Sequence, residues 1–266
     1  MITRIITALL LAPVAVGLTL YLSTFWFGVF LGVICIVGLY EWNRLTIKSV
    51  PILVGGILAI AAMVAYGHAN LTWLGYLCIV VSLYWVYQVW DLYKNGLARK
   101  LGALAGFVEG IFLLAGFWAG MSILHQQGSV VVIAAMAAVW AADSFAYFTG
   151  KAFGHRPLAP TLSPKKTVEG VAGGLFGACS VLLLSAFLGF DPALQGSDLW
   201  IWVFAGIVAA LVSVAGDLFQ SRIKRRAGVK DSGSILPGHG GILDRIDGLI
   251  AAIPVFASLW AISGWD

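Results

Sequence analysis

Charged residues are scarce in this sequence. Asp, Glu, Lys and Arg make up 11% of its 266 residues, whereas 61% of the residues are hydrophobic. No long polar stretch separates the apolar runs, so there is no room for a separate soluble domain. The composition excludes an ordinary soluble protein and predicts an all-α integral membrane protein, built as one polytopic domain over residues 1–266.

Two chemical signatures are also missing. Cys35, Cys78 and Cys179 stand singly within apolar runs, without the spacing of a disulfide framework or a metal site. Packing is the simpler interpretation of all three thiols. No GxxxxGK[ST] sequence occurs, which excludes a P-loop nucleotidase.

Nine apolar runs are long enough to span a bilayer, because a hydrocarbon core about 30 Å thick needs roughly 20 helical residues. Their predicted bounds are 5–22, 24–40, 51–67, 71–90, 101–123, 129–148, 169–190, 199–219 and 242–262. If the N-terminus is cytoplasmic, all 16 Lys and Arg fall on the cytoplasmic side, and the outer loops contain neither residue. The pattern predicts nine transmembrane helices with an external C-terminus. The net charge of +4 then reflects these inner loops and not a nucleic-acid partner.

Carboxylates gather near the inner ends of the later helices. Asp143, Glu169, Asp217, Asp244 and Asp247 all lie there, although an ionisable group at membrane depth costs at least a few kcal/mol. Asp244 and Asp247 are three residues apart and share one face of a helix. Several carboxylates at one depth suit a hard cation such as Mg²⁺, which also binds substrate phosphates.

Other acidic residues allow simpler interpretations. Glu41 and Asp91 lie beside basic residues at span ends, which predicts ordinary interfacial charges. Glu109 is compatible with either a packing partner or a site residue. Asp143 could also be a hydrogen-bonding partner of a neighbouring helix.

Residues 221–247, SRIKRRAGVKDSGSILPGHGGILDRID, concentrate six basic and three acidic side chains. Glycines flank His239 just before the last predicted helix, where backbone N–H groups can hold a phosphate. His239 is better explained as a phosphate donor than as a metal ligand. A glycine-rich turn, basic residues and metal-binding carboxylates together predict phosphoryl or nucleotidyl transfer.

The same segment resembles the signature of phosphatidate cytidylyltransferases, and every fixed position of that signature is filled, from Ser221 to Asp247. DSFAYFTGKAFG (143–154) and LSPKKTVEG (162–170) are similar to two further motifs of the family. The resemblance is strong in the C-terminal half, which divides the domain into N-terminal helices (1–128) and a part that carries the active site (129–266).

The resemblance implies a reaction in which CTP and phosphatidic acid give CDP-diacylglycerol and pyrophosphate, with Mg²⁺, at the cytoplasmic face of a bacterial inner membrane. The catalytic residues that it implies are Asp217, Lys224, Arg225, Asp244, Arg245 and Asp247, of which Asp217, Asp244 and Asp247 form the metal site. The expected substrate-binding residues are Asp143, Tyr147, Ser163, Lys166, Thr167, Glu169, Ser221, Lys230, His239, Gly240 and Gly241. A second cation, a homodimer and the role of Asp231 stay open.

Three other functions are to be compared with this one. A CTP-dependent lipid-alcohol kinase shares part of the signature, but the unbroken match favours the cytidylyltransferase. A CDP-alcohol phosphotransferase lacks support because its DGxxAR core is absent. A transporter would also contain buried carboxylates, but near the bilayer midplane and not at one face.

Overall fold

The computed structural model describes residues 2–67, 70–98, 101–188, 198–236, 238 and 240–263. Within these ranges the chain forms helices joined by short connections, with one β-hairpin between the sixth and seventh helix. The elements are α1 Ile2–Tyr21, α2 Thr24–Leu45, α3 Val50–Gly67, α4 Leu71–Asn95, α5 Ala103–Gln127, α6 Ser129–Phe153, β1 Pro157–Ala159, β2 Ser163–Thr167, α7 Val168–Phe187, α8 Asp198–Arg226 and α9 Leu243–Ser263.

The predicted all-α membrane class is confirmed, since every predicted apolar run coincides with one of these helices. Helices α2 to α8 are long and apolar enough to cross a membrane. Within the described side chains, α1 contributes a shorter apolar segment, Ala12–Tyr21. The count of nine spans and the orientation of the two termini stay predictions.

Helix α9 lies at the centre of the bundle, where it packs against α8, α5 and α4. Its middle turn is fully buried, including Ala251, Ala252 and Ile253. Gly120 of α5 allows the closest approach, because a Cβ there would lie 3.0 Å from the carbonyl oxygen of Ile253. The helix that carries Asp244 and Asp247 is therefore held on several sides.

Helices α6 and α7 pack closely along glycines. A Cβ at Gly170 or Gly174 would lie 2.8 Å from a carbonyl oxygen of α6. The connection between the two helices is the hairpin of β1 and β2, which pair antiparallel. Thr167 ends the hairpin and caps α7, because its hydroxyl accepts a hydrogen bond from the N–H of Gly170 at 3.1 Å. The sequence reading did not predict this hairpin, whose strands of three and five residues are too short for a period-two pattern.

The interpretation of Glu41 and Asp91 as interfacial charges is wrong. Both are buried: α2 and α4 each continue about one turn past the predicted span ends, and other helices pack against these last turns. Asp91 forms an ion pair with Arg222 of α8, with Oδ2 at 2.5 Å from Nη1. Glu41 accepts hydrogen bonds from the backbone at the start of α9. The partners of both residues lie far along the chain, so nothing near them in sequence announces the burial.

Glu109 is a packing partner between α5 and α4. Its Oε1 accepts hydrogen bonds from the Gln88 side chain, at 2.6 Å, and from the Tyr84 hydroxyl. Gln88 also accepts a hydrogen bond from Nη2 of Arg222 at 2.9 Å, so these side chains join α4, α5 and α8.

Reporter fusions test the predicted orientation. A fluorescent reporter that folds only in the cytoplasm is expected to be active after residues 96 and 228, because Lys and Arg accumulate in cytoplasmic loops. A phosphatase that folds only outside is expected to be active after residue 126 and at the C-terminus. A cytoplasmic C-terminus would contradict the nine-span topology.

Candidate active site

Two adjoining cavities reach the start of α9, and the larger has a volume of about 730 Å³. It lies among α6, the hairpin, α7, α8 and the first turns of α9. Its lining residues are Asp143, Ala146, Tyr147, Gly150, Lys151, Pro164, Lys165, Lys166, Thr167, Gly170, Val171, Val214, Asp217, Asp244 and Asp247. Both signs of charge therefore face the same space.

Two facing carboxylates form the floor of this cavity. The side chains of Asp217 on α8 and Asp247 on α9 lie within hydrogen-bonding reach of each other. The helices cross closely here, because a Cβ at Gly216 would lie 2.5 Å from the carbonyl oxygen of Asp247. Oδ1 of Asp217 is buried and has no hydrogen-bond partner among the described residues. Two acceptors held face to face need a proton or a cation between them.

Two lysines neutralise neighbouring carboxylates. Nζ of Lys166, on β2, lies 2.5 Å from Oδ2 of Asp217. Nζ of Lys224, two turns after Asp217 on α8, lies 2.6 Å from Oδ1 of Asp244. The hairpin is what brings Lys166 to α8, since the two partners are 51 residues apart.

Asp244 organises the loop before α9. Its Oδ2 accepts hydrogen bonds from the N–H groups of Ser232, at 2.8 Å, and Gly241, at 2.9 Å. Gly240 has a φ of +82°, which suits glycine, and its carbonyl oxygen accepts a hydrogen bond from the N–H of Leu236. These contacts fold the second half of the loop onto the first turn of α9.

The predicted three-carboxylate metal set is not assembled as one cluster. Among the described residues, no group of three or more His, Cys, Asp or Glu side chains is arranged to hold a metal ion. The structure brings Asp217 and Asp247 together and directs Asp244 to Lys224 and the loop backbone. The arrangement favours Asp217 and Asp247, and a metal site formed by Asp217, Asp244 and Asp247 stays a prediction.

A second cavity, of about 520 Å³, adjoins the first. Asp143, Asp244 and Asp247 line both cavities, and the exposed Arg245 lies at the polar end of the second. Apart from Thr19, whose hydroxyl donates to the carbonyl oxygen of Ala15, the rest of its wall is apolar and comes from α1, α2, α5, α6, α9 and the loop before α9. These apolar lining residues include Ala12, Val14, Ala15, Phe27, Phe30, Leu31, Ile34, Phe117, Met121, Met136, Trp140, Leu236, Ile242, Ile246 and Leu249.

Several predicted substrate-binding residues take other positions. Asp143, Tyr147, Lys166 and Thr167 line the larger cavity, as a binding role requires. Ser163 begins β2 and Ser221 lies on α8, and neither lines a cavity. Arg225 and Lys230 are exposed, and Nη1 of Arg225 donates to the carbonyl oxygen of Val229 at 3.2 Å. His239 lies outside the described residues.

Glu169 stabilises the turn that leads into the hairpin. Its Oε2 accepts hydrogen bonds from the N–H groups of His155, at 3.1 Å, and Arg156, at 3.2 Å. Its Oε1 lies 3.2 Å from Nε of Arg156. Glu169 does not line the cavity, so it acts on the hairpin that carries Lys166.

Sequence reasoning missed two lysines of the site. Lys151 lies in the last turn of α6 and Lys165 precedes Lys166 on β2, and both line the larger cavity. Both stand inside the quoted stretches DSFAYFTGKAFG and LSPKKTVEG, so the signal was present. They were assigned only to the positive charge of the inner loops.

The fold and the site define an integral membrane protein whose paired carboxylates and lysines are suited to phosphate chemistry. The chain belongs to the cytidylyltransferase family, which its residues 2–263 match, and the resemblance seen in the sequence is confirmed. It is 38% identical to the phosphatidate cytidylyltransferase of Pseudomonas aeruginosa, with 98% of this chain and 97% of that protein covered. It is 32% identical to the phosphatidate cytidylyltransferase of Haemophilus influenzae, with 96% of each chain covered. The phosphatidate cytidylyltransferase of Brucella abortus is 34% identical, over 94% of this chain and 89% of that protein.

Proposed function

We propose that this protein transfers CMP from CTP to phosphatidic acid, producing CDP-diacylglycerol and pyrophosphate. The observation that carries the proposal is the junction of a charged cavity with an apolar one at Asp143, Asp244 and Asp247. A nucleoside triphosphate suits the charged cavity, and the acyl chains of a lipid suit the apolar cavity. Their reacting phosphates would then meet at the junction.

The reaction joins a lipid phosphate oxygen to the α-phosphorus of CTP and breaks the bond between that phosphorus and the oxygen leading to the β-phosphorus. The attacking oxygen needs no strong base, because the second pKa of a phosphate monoester is about 6 and the oxygen is already anionic near neutral pH. The obstacle is repulsion between two polyanions. Lys151, Lys165 and Lys166 line the charged cavity and would lower this repulsion.

The two substrates call for different residues. The hairpin lysines would hold the triphosphate, and the exposed ring of Tyr147 offers a stacking face for cytosine. Arg245, at the polar end of the apolar cavity, would bind the lipid phosphate, to which a guanidinium fork is well matched. Lys224 is held by Asp244, which lines both cavities.

Asp217 and Asp247 fit a Mg²⁺ ion. Mg²⁺ is commonly held by one or two carboxylates together with substrate phosphates. The buried Oδ1 of Asp217, which has no hydrogen-bond partner in the part of the chain that the structure describes, is an acceptor of the kind such an ion requires. When bound, the ion would supply positive charge for the phosphate oxygens of the departing pyrophosphate. We propose that this site opens to the cytoplasm, from which CTP is supplied.

A double-label assay tests the reaction. Purified protein in detergent receives phosphatidic acid, Mg²⁺ and CTP labelled separately at the α- and γ-phosphates. The α label is expected in a chloroform-soluble product and the γ label in pyrophosphate, because attack at the α-phosphorus joins CMP to the lipid. ATP is expected to replace CTP poorly, since its base presents different hydrogen-bonding groups.

The same assay separates the alternatives. A lipid-alcohol kinase would place the γ label in lipid and release CDP. A transporter would give neither product, because detergent leaves no sealed compartment. Either result would overturn the proposed function.

A further inference from the structure

The N-terminus of α9 is capped from another helix. The carbonyl oxygen of Ile242 accepts the first hydrogen bond of α9, from the N–H of Ile246, so Ile242 occupies the N-cap position. Its aliphatic side chain cannot cap the helix by accepting a hydrogen bond from an N–H group of the first turn. Glu41 of α2 instead provides acceptors for the N–H group of Ile242 itself and for that of Leu243, the first residue of the helix. Its Oε1 lies 3.0 Å from the N–H nitrogen of Ile242, and its Oε2 lies 2.9 Å from that of Leu243.

The backbone closes tightly around this carboxylate. A Cβ at Gly233 or at Gly241 would collide with the carboxyl group of Glu41. Gly233 lies near the middle of the loop that joins α8 to α9, and Gly241 lies at its end. Glu41 is itself only 1% exposed. One buried side chain therefore contacts the middle and the end of the loop and holds the start of the helix.

The position of Glu41 links it to the reacting groups. Asp244 is the second residue of α9, and Asp247 lies about one turn further along. A negative charge at a helix N-terminus also stabilises the first turn through the helix dipole. If the first turn frayed or rotated, Asp244 would leave Lys224 and Asp247 would leave Asp217.

We propose that Glu41 is a positioning residue for cytidylyl transfer: it fixes the first turn of α9 so that Asp244 and Asp247 face the cavities. The proposal rests on the proposed function, which places these two carboxylates in the active site. Glu41 lines neither cavity and acts through the backbone of residues 241–243.

The test compares Glu41→Gln with the parent protein by hydrogen exchange and by steady-state kinetics. The amide puts an NH₂ group where one carboxylate oxygen accepted a hydrogen bond, and it removes the charge. Exchange at the amides of Ile242 and Leu243 is expected to accelerate about tenfold or more, since these are hydrogen bonds to a charged group. We expect kcat to fall about ten- to a hundredfold, because small misplacements of reacting groups have effects of this size.

The Michaelis constant for CTP separates positioning from binding. It is expected to stay within about threefold, because the hairpin lysines and α6 do not depend on Glu41. Glu41→Asp keeps the charge but is one methylene shorter, so its kcat is expected to be intermediate. Glu109→Gln is the matched control, since Glu109 is also a buried carboxylate but bonds to side chains of α4. It is expected to leave kcat and the exchange of Ile242 and Leu243 unchanged.

Two results would overturn the proposal. One is a Glu41→Gln protein with unaltered exchange at Ile242 and Leu243. The other is exchange that rises equally in all helices, with kcat unchanged, which would make Glu41 a general stability residue. Exchange is measured without turnover, so a failure of Glu41 is distinguishable from a failure of the site, which a fully active Asp247→Asn protein would reveal.

Discussion

Asp217→Asn and Asp247→Asn are each expected to lower kcat at least about a hundredfold, because a metal site and its charge stabilisation supply effects of this size or more. Each change removes one of two facing carboxylates while keeping the side-chain shape. The loss is to be measured as pyrophosphate release by protein purified in detergent, over a series of Mg²⁺ concentrations. Binding of Mn²⁺ in the absence of substrate, followed by electron paramagnetic resonance, gives a second readout that is expected to weaken in parallel.

The stability of these variants separates a metal site from a structural one. Neutralising Asp247 relieves its repulsion with Asp217, so the melting temperature of Asp247→Asn without metal is expected to stay constant or rise. Asp217→Asn also loses the ion pair with Lys166, so Asp247→Asn gives the cleaner comparison. Glu109→Gln is again the control, because Glu109 is buried but lines neither cavity. Full activity and unchanged Mn²⁺ binding in Asp247→Asn would contradict the metal assignment.

Arg222→Met is expected to destabilise the protein by about 3–5 kcal/mol, because removal of one partner leaves the other charge buried and uncompensated. The side chains of Arg222 and Asp91 are each only 2% exposed, and their ion pair joins α8 to α4. Asp91 would keep a hydrogen bond from Asn95 at 2.8 Å, which is a weak replacement for a guanidinium. The change in unfolding free energy is to be measured in mixed detergent micelles.

The double variant Asp91→Leu with Arg222→Met provides the critical comparison. Replacing both charges by apolar groups of similar size is often neutral or stabilising, so most of the lost stability is expected to return. If the double variant is as unstable as the sum of the two single variants, the ion pair is not the cause. Lys224→Met is a useful contrast, because Lys224 is more exposed and close to the cavity; it is expected to affect turnover more than stability.

The site residues that the sequence predicted belong to contiguous sequence motifs. Asp143 and Lys166 belong to such motifs, and both line the charged cavity. Asp217 and Asp247 lie on α8 and α9, which are consecutive along the chain, so their proximity follows from the packing of neighbouring helices. Local pattern and chain order therefore suffice for much of the cavity.

Contacts between helices that are far apart along the chain could not be predicted from the sequence. Glu41 meets Ile242 across 201 positions of the chain, and Asp91 meets Arg222 across 131. A charged residue beside a basic one at a helix end has the same local pattern whether lipid headgroups or another helix surround it. Only the packing of α2 against α9, and of α4 against α8, decides that these carboxylates are buried.

The central place of α9 has a consequence for biosynthesis. Ribosomes deliver α1 to α8 to the membrane before α9, so the helices that contact α9 cannot complete the core until α9 has been inserted. Asp244, Asp247 and the residues that Glu41 caps all arrive with that last insertion. Catalytic competence and closure of the core are thus a single event during synthesis, and an incompletely translated chain would have neither.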